Sequence, residues 1–155
     1  MPELKSTIAT ALTARYKNFA GTVFELAAPL NEEQFWGKPF PFGNSFGHLV
    51  LHVTGNLNYY IGTQIAATGY VRDRPLEFTD ATRPAKADVL RNFEQAIEMV
   101  LTTINCQSAE DWSRDYTAAG SDARDRFDNI LDCATHLRYH IGQMRYLGFE
   151  LKRKG

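Results

Sequence analysis

The chain is poor in the features that announce several protein classes. It has two cysteines in 155 residues, Cys106 and Cys133. They form no CxxC and are too few for a disulfide scaffold, so a reduced environment is expected. No apolar run approaches the roughly 18 residues that a membrane-crossing helix needs. The opening Met1 to Lys5 lacks the basic-then-apolar layout of a secretory signal, and the expectation is a cytoplasmic protein without a membrane partner. The net charge is only −1. Such a balance gives no electrostatic footprint for a polyanion, so no nucleic-acid partner is expected. Lys152, Arg153 and Lys154 form a short basic run that reads as a solvated helix end. Strand-period alternation, internal repeats and low-complexity segments are missing. So are an HExxH motif and a GxSxG nucleophile elbow.

What is present is helical periodicity. Hydrophobic residues make up 44% of the chain, enough for one core, and residues 1–155 read as a single domain. A first helix is expected over Leu4–Ala28, with Leu4, Ile8, Leu12, Phe19, Val23 and Leu26 on its apolar stripe and Pro29 helping to end it. Prolines at 29, 39 and 41 exclude a helix through the aromatic connection Asn31–Gly43, which reads as an ordered, packed loop. A second helix starts near the N-cap residues Asn44 and Ser45 and runs to about Thr68, with Gly69 as its C-cap. A third spans about Pro84 to Asn105, with Pro84 in its first turn. Residues 107–126 read as a loop with a short extended piece around Trp112–Thr117. A fourth helix covers about Phe127 to Leu151, and Gly148 is expected to fray or bend its end. The expected fold is all-α, a four-helix bundle with two long connections.

All four histidines fall into two identical spacings, His48-Leu-Val-Leu-His52 and His136-Leu-Arg-Tyr-His140. Residues four apart on a helix differ by about 40° around the axis, so both imidazoles of a pair can reach one ion. Two pairs on facing helices form a cage for a transition metal, of which histidine is the commonest ligand. The residue pattern favours a three-histidine site made of His52, His136 and His140. His48 falls in the first turn after the cap and is expected to meet solvent. Three protein ligands leave a position open for substrate, as in catalytic sites, whereas a closed four-histidine site with His48 is the alternative.

Other side chains share the region. Asn56 follows His52 by four and Gln143 follows His140 by three, so both are candidates to orient a substrate or a water. Asp132, four before His136, is a candidate carboxylate partner for an imidazole N–H, against the plainer reading of a solvent-facing residue. Cys133 lies on the histidine face of helix four. It reads first as a small buried hydrophobe and second as a thiolate ligand. Cys106 has only the first reading. The aromatic residues from Phe35 to Phe42, with Tyr59, Tyr60 and Tyr139, are candidates to line a pocket, although ordinary packing is the better explanation for any one of them. The residues three before the histidines are Ser45, Leu49, Cys133 and Leu137, which excludes the usual Glu-x-x-His di-iron bundle. Bis-histidine haem ligation is a weaker alternative that predicts a Soret band.

The segment Gly43-Asn-Ser-Phe-Gly-His-Leu-Val-Leu-His-Val-Thr-Gly-Asn56 and the segment His136-Leu-Arg-Tyr-His-Ile-Gly-Gln143 resemble the second- and fourth-helix signatures of the DinB-like (DinB/YfiT) metalloenzyme family. Leu30–Trp36 and Val71–Phe78 look like the same group. The resemblance implies a four-helix bundle holding a divalent metal (zinc, nickel or iron) on His52, His136 and His140, with His48 outside the ligand set. It does not imply DNA binding. Some relatives are small-thiol S-transferases or thiol-dependent isomerases, so it also implies a low-molecular-weight thiol and a small-molecule substrate. A Lewis-acidic ion can deprotonate such a thiol at neutral pH. The same site would serve a hydrolase that activates water. A non-catalytic, metal-binding homodimer is the alternative from another class.

Overall fold

The computed structural model describes residues 4–79 and 81–155, the side chain of Lys5 apart. Among the described residues the protein is all-helical, with seven α-helices, one π-helical stretch and no strand. The helices are α1 (Leu4–Ala27), α2 (Glu32–Trp36), α3 (Phe46–Leu57), α4 (Leu76–Thr79), α5 (Lys86–Cys106), α6 (Ala109–Trp112) and α7 (Arg126–Lys154). The π-helix, Asn58–Thr63, continues α3 without a break.

The long helices follow their apolar stripes. On α1 the buried positions Leu12, Tyr16, Ala20, Val23 and Ala27 recur every three or four residues. The Tyr16 hydroxyl donates to Ile130 O at 2.7 Å and ties α1 to α7. Helix α3 is buried nearly all round, which places it inside rather than on the surface. It packs against α5 on one side and α7 on the other, and α1 packs against both α5 and α7. Each long helix therefore meets two of the others around one core.

Several boundaries differ from the sequence expectation, each for a local reason. The connection 31–43 contains α2, because the prolines leave residues 32–36 free and Asn31 and Gln34 cap the turn reciprocally, at 2.8 and 3.0 Å. Its Phe35 and Trp36 pack on the first turn of α3, where Gly47 is required: a Cβ there would lie 2.6 Å from the Trp36 ring. The connection 107–126 likewise contains α6, capped by Ser108 and Asp111, so Trp112 is helical rather than extended. The second expected helix changes winding at Asn58 and does not reach Gly69, which instead sits in the irregular connection beyond it with φ +76°. Bonds from Gln64 N to Tyr59 O (3.2 Å) and from Ala66 N to Ile61 O (3.0 Å) show the five-residue spacing. The widened turn leaves Tyr60 O to accept from the Tyr116 hydroxyl at 2.8 Å and Asn129 Nδ2 at 3.1 Å. Helix α5 begins two residues after Pro84, and α7 passes through Gly148 to Lys154. No helix among the described residues is long and apolar enough to cross a membrane.

Candidate metal centre

His52 projects from the middle of α3, and His136 and His140 from adjacent turns of α7. The packing of α3 on α7 brings the three together: His136 Nε2 lies 3.1 Å from His52 Nε2 and 3.0 Å from His140 Nε2. Ring centroids are 4.5–4.9 Å apart, with the rings nearly perpendicular. This is the one cluster of histidine, cysteine or carboxylate side chains among the described residues with ligand atoms close enough to share an ion.

The outer nitrogens explain why the inner ones converge. His52 Nδ1 faces Glu77 Oε2 at 2.8 Å, and a carboxylate only accepts, so the proton sits on Nδ1. His140 Nδ1 faces Gln143 Oε1 at 2.6 Å and is held in the same way. Both Nε2 atoms then carry bare lone pairs aimed at His136 Nε2. One proton on His136 cannot serve two acceptors well, whereas a cation would satisfy all three lone pairs. Imidazole nitrogens bound to one ion at about 2.1 Å stand roughly 3.4 Å apart in a tetrahedron, close to the separations here. The donor set therefore fits a divalent transition metal. His136 Nδ1, in contrast, is buried without a hydrogen-bond partner.

Glu77 is the residue that sequence reasoning missed. It lies on α4, a four-residue helix in the polar connection after the π-helix, where Asp73 Oδ1 accepts from Leu76 N at 3.1 Å and Pro75 fits the first turn. Its side chain is 6% exposed and receives Arg72 Nε at 2.6 Å and Arg72 Nη2 at 3.0 Å. Burial alone would raise the Glu77 pKa, but the hydrogen bonds from His52 and Arg72 outweigh it and hold the carboxyl below its ordinary value. Gly55, one turn after His52, makes room: a Cβ at that position would overlap Glu77 Oε1. The candidate carboxylate, Asp132, is exposed and makes no described hydrogen bond to a histidine, which fits the plainer reading of a solvent-facing residue.

The remaining candidates separate. Asn56 is 8% exposed, lines the cleft beside His52 and His136, and its Oδ1 is buried without a partner. Gln143 holds the His140 ring rather than standing free for a substrate. His48 lies outside the cluster, as expected, but it is buried at 6% rather than facing solvent: Ser45 Oγ sits 2.6 Å from its Nδ1 and the Trp36 ring covers it at 5.2 Å. Cys133 is buried and also outside the cluster, with Sγ 3.9 Å from Asn129 Oδ1, and burial pushes its thiol pKa far up. Cys106 is exposed. Tyr59 and Tyr60 line the cleft, Phe35 and Trp36 belong to the core, and Tyr139 stands 66% exposed against the far edge of His140. Phe40 and Phe42 line a smaller groove with Gln143.

The cleft itself encloses about 720 Å³. His52 and His136 form part of its wall, facing Arg72, Arg74 and the turn Ala119–Ser121. Tyr60 pins that turn through a 3.0 Å bond from its hydroxyl to Gly120 O.

Burial, followed by the neighbouring His140 and His52 and the charge of Arg72, pulls the His136 pKa down from 6.5 to about 3. His140 is lowered as well, first by burial. Below pH 6.5 the unfolded chain takes up a proton that folded His136 refuses, so stability is present above that pH and is lost as pH falls towards 3. Metal-free protein is expected to lose up to about 1 kcal/mol per pH unit in this window, after allowance for solvent reaching His136. Urea unfolding of chelator-treated protein at pH 7 and pH 5 measures it. Equal stabilities would contradict a neutral buried His136, and His136→Ala should flatten the difference.

A search of curated proteins finds no match to the chain. The arrangement of α3 and α7 that carries the three histidines lies within residues 7–155, the span matched by a model described as "Protein of unknown function (DUF1572)", and the chain belongs to that family.

Proposed function

We propose that this protein is a DinB-like four-helix bundle that holds one divalent transition-metal ion on His52, His136 and His140 and activates a small thiol for transfer to an electrophile. The observation that carries the reading is the convergence of three Nε2 atoms, two of whose imidazoles, His52 and His136, form part of the wall of an open cleft. The ion would supply Lewis acidity, stabilising a thiolate at neutral pH. Glu77 and Gln143 orient two of the imidazoles, and Asn56, Arg72, Tyr59 and Tyr60 shape the space beside them. A volume of about 720 Å³ suits a small-molecule substrate. Activation of water for hydrolysis is the second use of the same site.

Cobalt-loaded protein tests the reading. Titration with 2-mercaptoethanol is expected to raise a saturable sulfur-to-cobalt absorption that His136→Ala abolishes. A protein that binds cobalt but gives no such band with any thiol sinks the transferase reading and leaves hydrolysis. The proposal also includes a cytoplasmic homodimer. Tyr139, Tyr146 and Phe149, exposed along α7, are the face a second copy would cover. Light scattering should then give twice the chain mass, and a monomer at high concentration would remove that part.

A further inference from the structure

Two guanidinium groups stand in the cleft beside the histidines, and neither is fully used. Arg72 is 8% exposed and spends Nε and Nη2 on Glu77. A guanidinium has five N–H donors. Arg72 Nη1 has no acceptor among the described residues, and the side chain forms part of the cleft wall with His52 and His136. Arg74 lines the same cleft and forms no ion pair among the described residues. Aromatic faces hold both groups: Arg72 lies 5.7 Å over the Tyr60 ring and Arg74 5.6 Å over the Phe78 ring, which itself packs 4.7 Å from His52. A guanidinium stacked through its face keeps its N–H edge free for an anion.

We infer that the cleft takes a carboxylate-bearing ligand, with the carboxylate on Arg74 and the outer edge of Arg72, beside His52 and His136. The inference rests on the proposed reading of this cleft as the substrate site. Planar carboxylates match the guanidinium fork. Glu77 already neutralises Arg72, which leaves Arg74 as the cation without a described ion pair. Asp132 lines the same cleft and favours an ammonium, so an amino-carboxylate is accommodated as well.

Cobalt-loaded protein compared with 3-mercaptopropionate and 2-mercaptoethanol decides it. The carboxylate thiol is expected to saturate the absorption band at a concentration at least about tenfold lower, and Arg74→Gln to bring the two thiols together. Arg74→Lys should restore part of the difference. No preference in the native protein overturns the inference. So does a preference that survives Arg74→Gln, because the carboxylate would then sit on the ion. If no thiol gives a band, the transferase reading fails and calorimetry on chelator-treated protein decides instead. Saturable heat with 3-mercaptopropionate that Arg74→Gln abolishes supports the carboxylate site, and no heat, or heat unchanged by the substitution, overturns it.

Discussion

A His136→Ala/His140→Ala variant is expected to carry no transition metal, where the native protein carries about one equivalent per chain by elemental analysis. Two of the three converging nitrogens disappear, and His52 alone is an ordinary weak ligand. The loss should be close to complete rather than partial, because one imidazole cannot retain an ion through dialysis against a chelator. Stability follows by linkage. An ion present at about 100 times its dissociation constant stabilises the native state by roughly 2.7 kcal/mol, so the native protein should melt lower after chelation and the variant should not respond. The variant itself is expected to fold. His136 and His140 sit at the edge of the core, on a helix anchored by the buried Ile130, Leu137, Ile141 and Met144. A native protein that is folded and metal-free as isolated, and refuses added zinc, nickel, iron and cobalt, would sink the metal site. The two HxxxH pairs would then be polar packing.

The parts of this molecule that repeat were legible from its sequence, and the parts that depend on a single distant partner were not. Amphipathic stripes gave α1, α5 and α7 to within a turn at each end, and the start of α3 but not its end, since burying a stripe requires the 3.6-residue period throughout. The histidine spacing gave the three residues that come together, since i, i+4 geometry is local and α7 carries two of them. Glu77 carries no periodic signal. It reaches His52 only because a four-residue helix folds back over α3, 25 residues along the chain. Its one trace was Gly55, a glycine inside an apolar helix where close approach is the usual reason. The caps of α2 and α6 were readable, as Asn31 with Gln34 and Ser108 with Asp111, but in the first case the flanking prolines outweighed them. His48 was misplaced because its helix position says nothing of Trp36, which α2 lays over it. The change from α to π winding at Asn58 leaves the Tyr60 carbonyl to accept from the Tyr116 hydroxyl and the Asn129 amide, and neither donor is near in sequence.

Glu77→Ala is expected to weaken metal binding by roughly 10- to 100-fold while leaving all three ligand histidines in place. The carboxylate holds the His52 proton on Nδ1 and so presents Nε2 to the ion, and without it the ring can turn or change tautomer. The substitution also leaves Arg72 buried without its counter-charge. Breaking a buried pair from one side costs about 3–5 kcal/mol, and because Arg72 borders the cleft and water can reach it, the lower figure applies, a fall of about 10 °C in Tm. A buried ion pair is poor evidence for stability in its own right, since apolar residues of the same shape often serve as well. Glu77→Leu with Arg72→Leu should therefore recover much of the stability and none of the metal affinity. That separation is the test of a positioning role, because a merely structural pair would regain both or neither. Gly55→Ala probes the same contact without touching a charge: the added methyl displaces Glu77 Oε1, and metal affinity should fall as it does in Glu77→Ala. If Glu77→Ala binds zinc as tightly as the native protein in a competition titration, Glu77 does not position His52, and the pair is there for Arg72 alone.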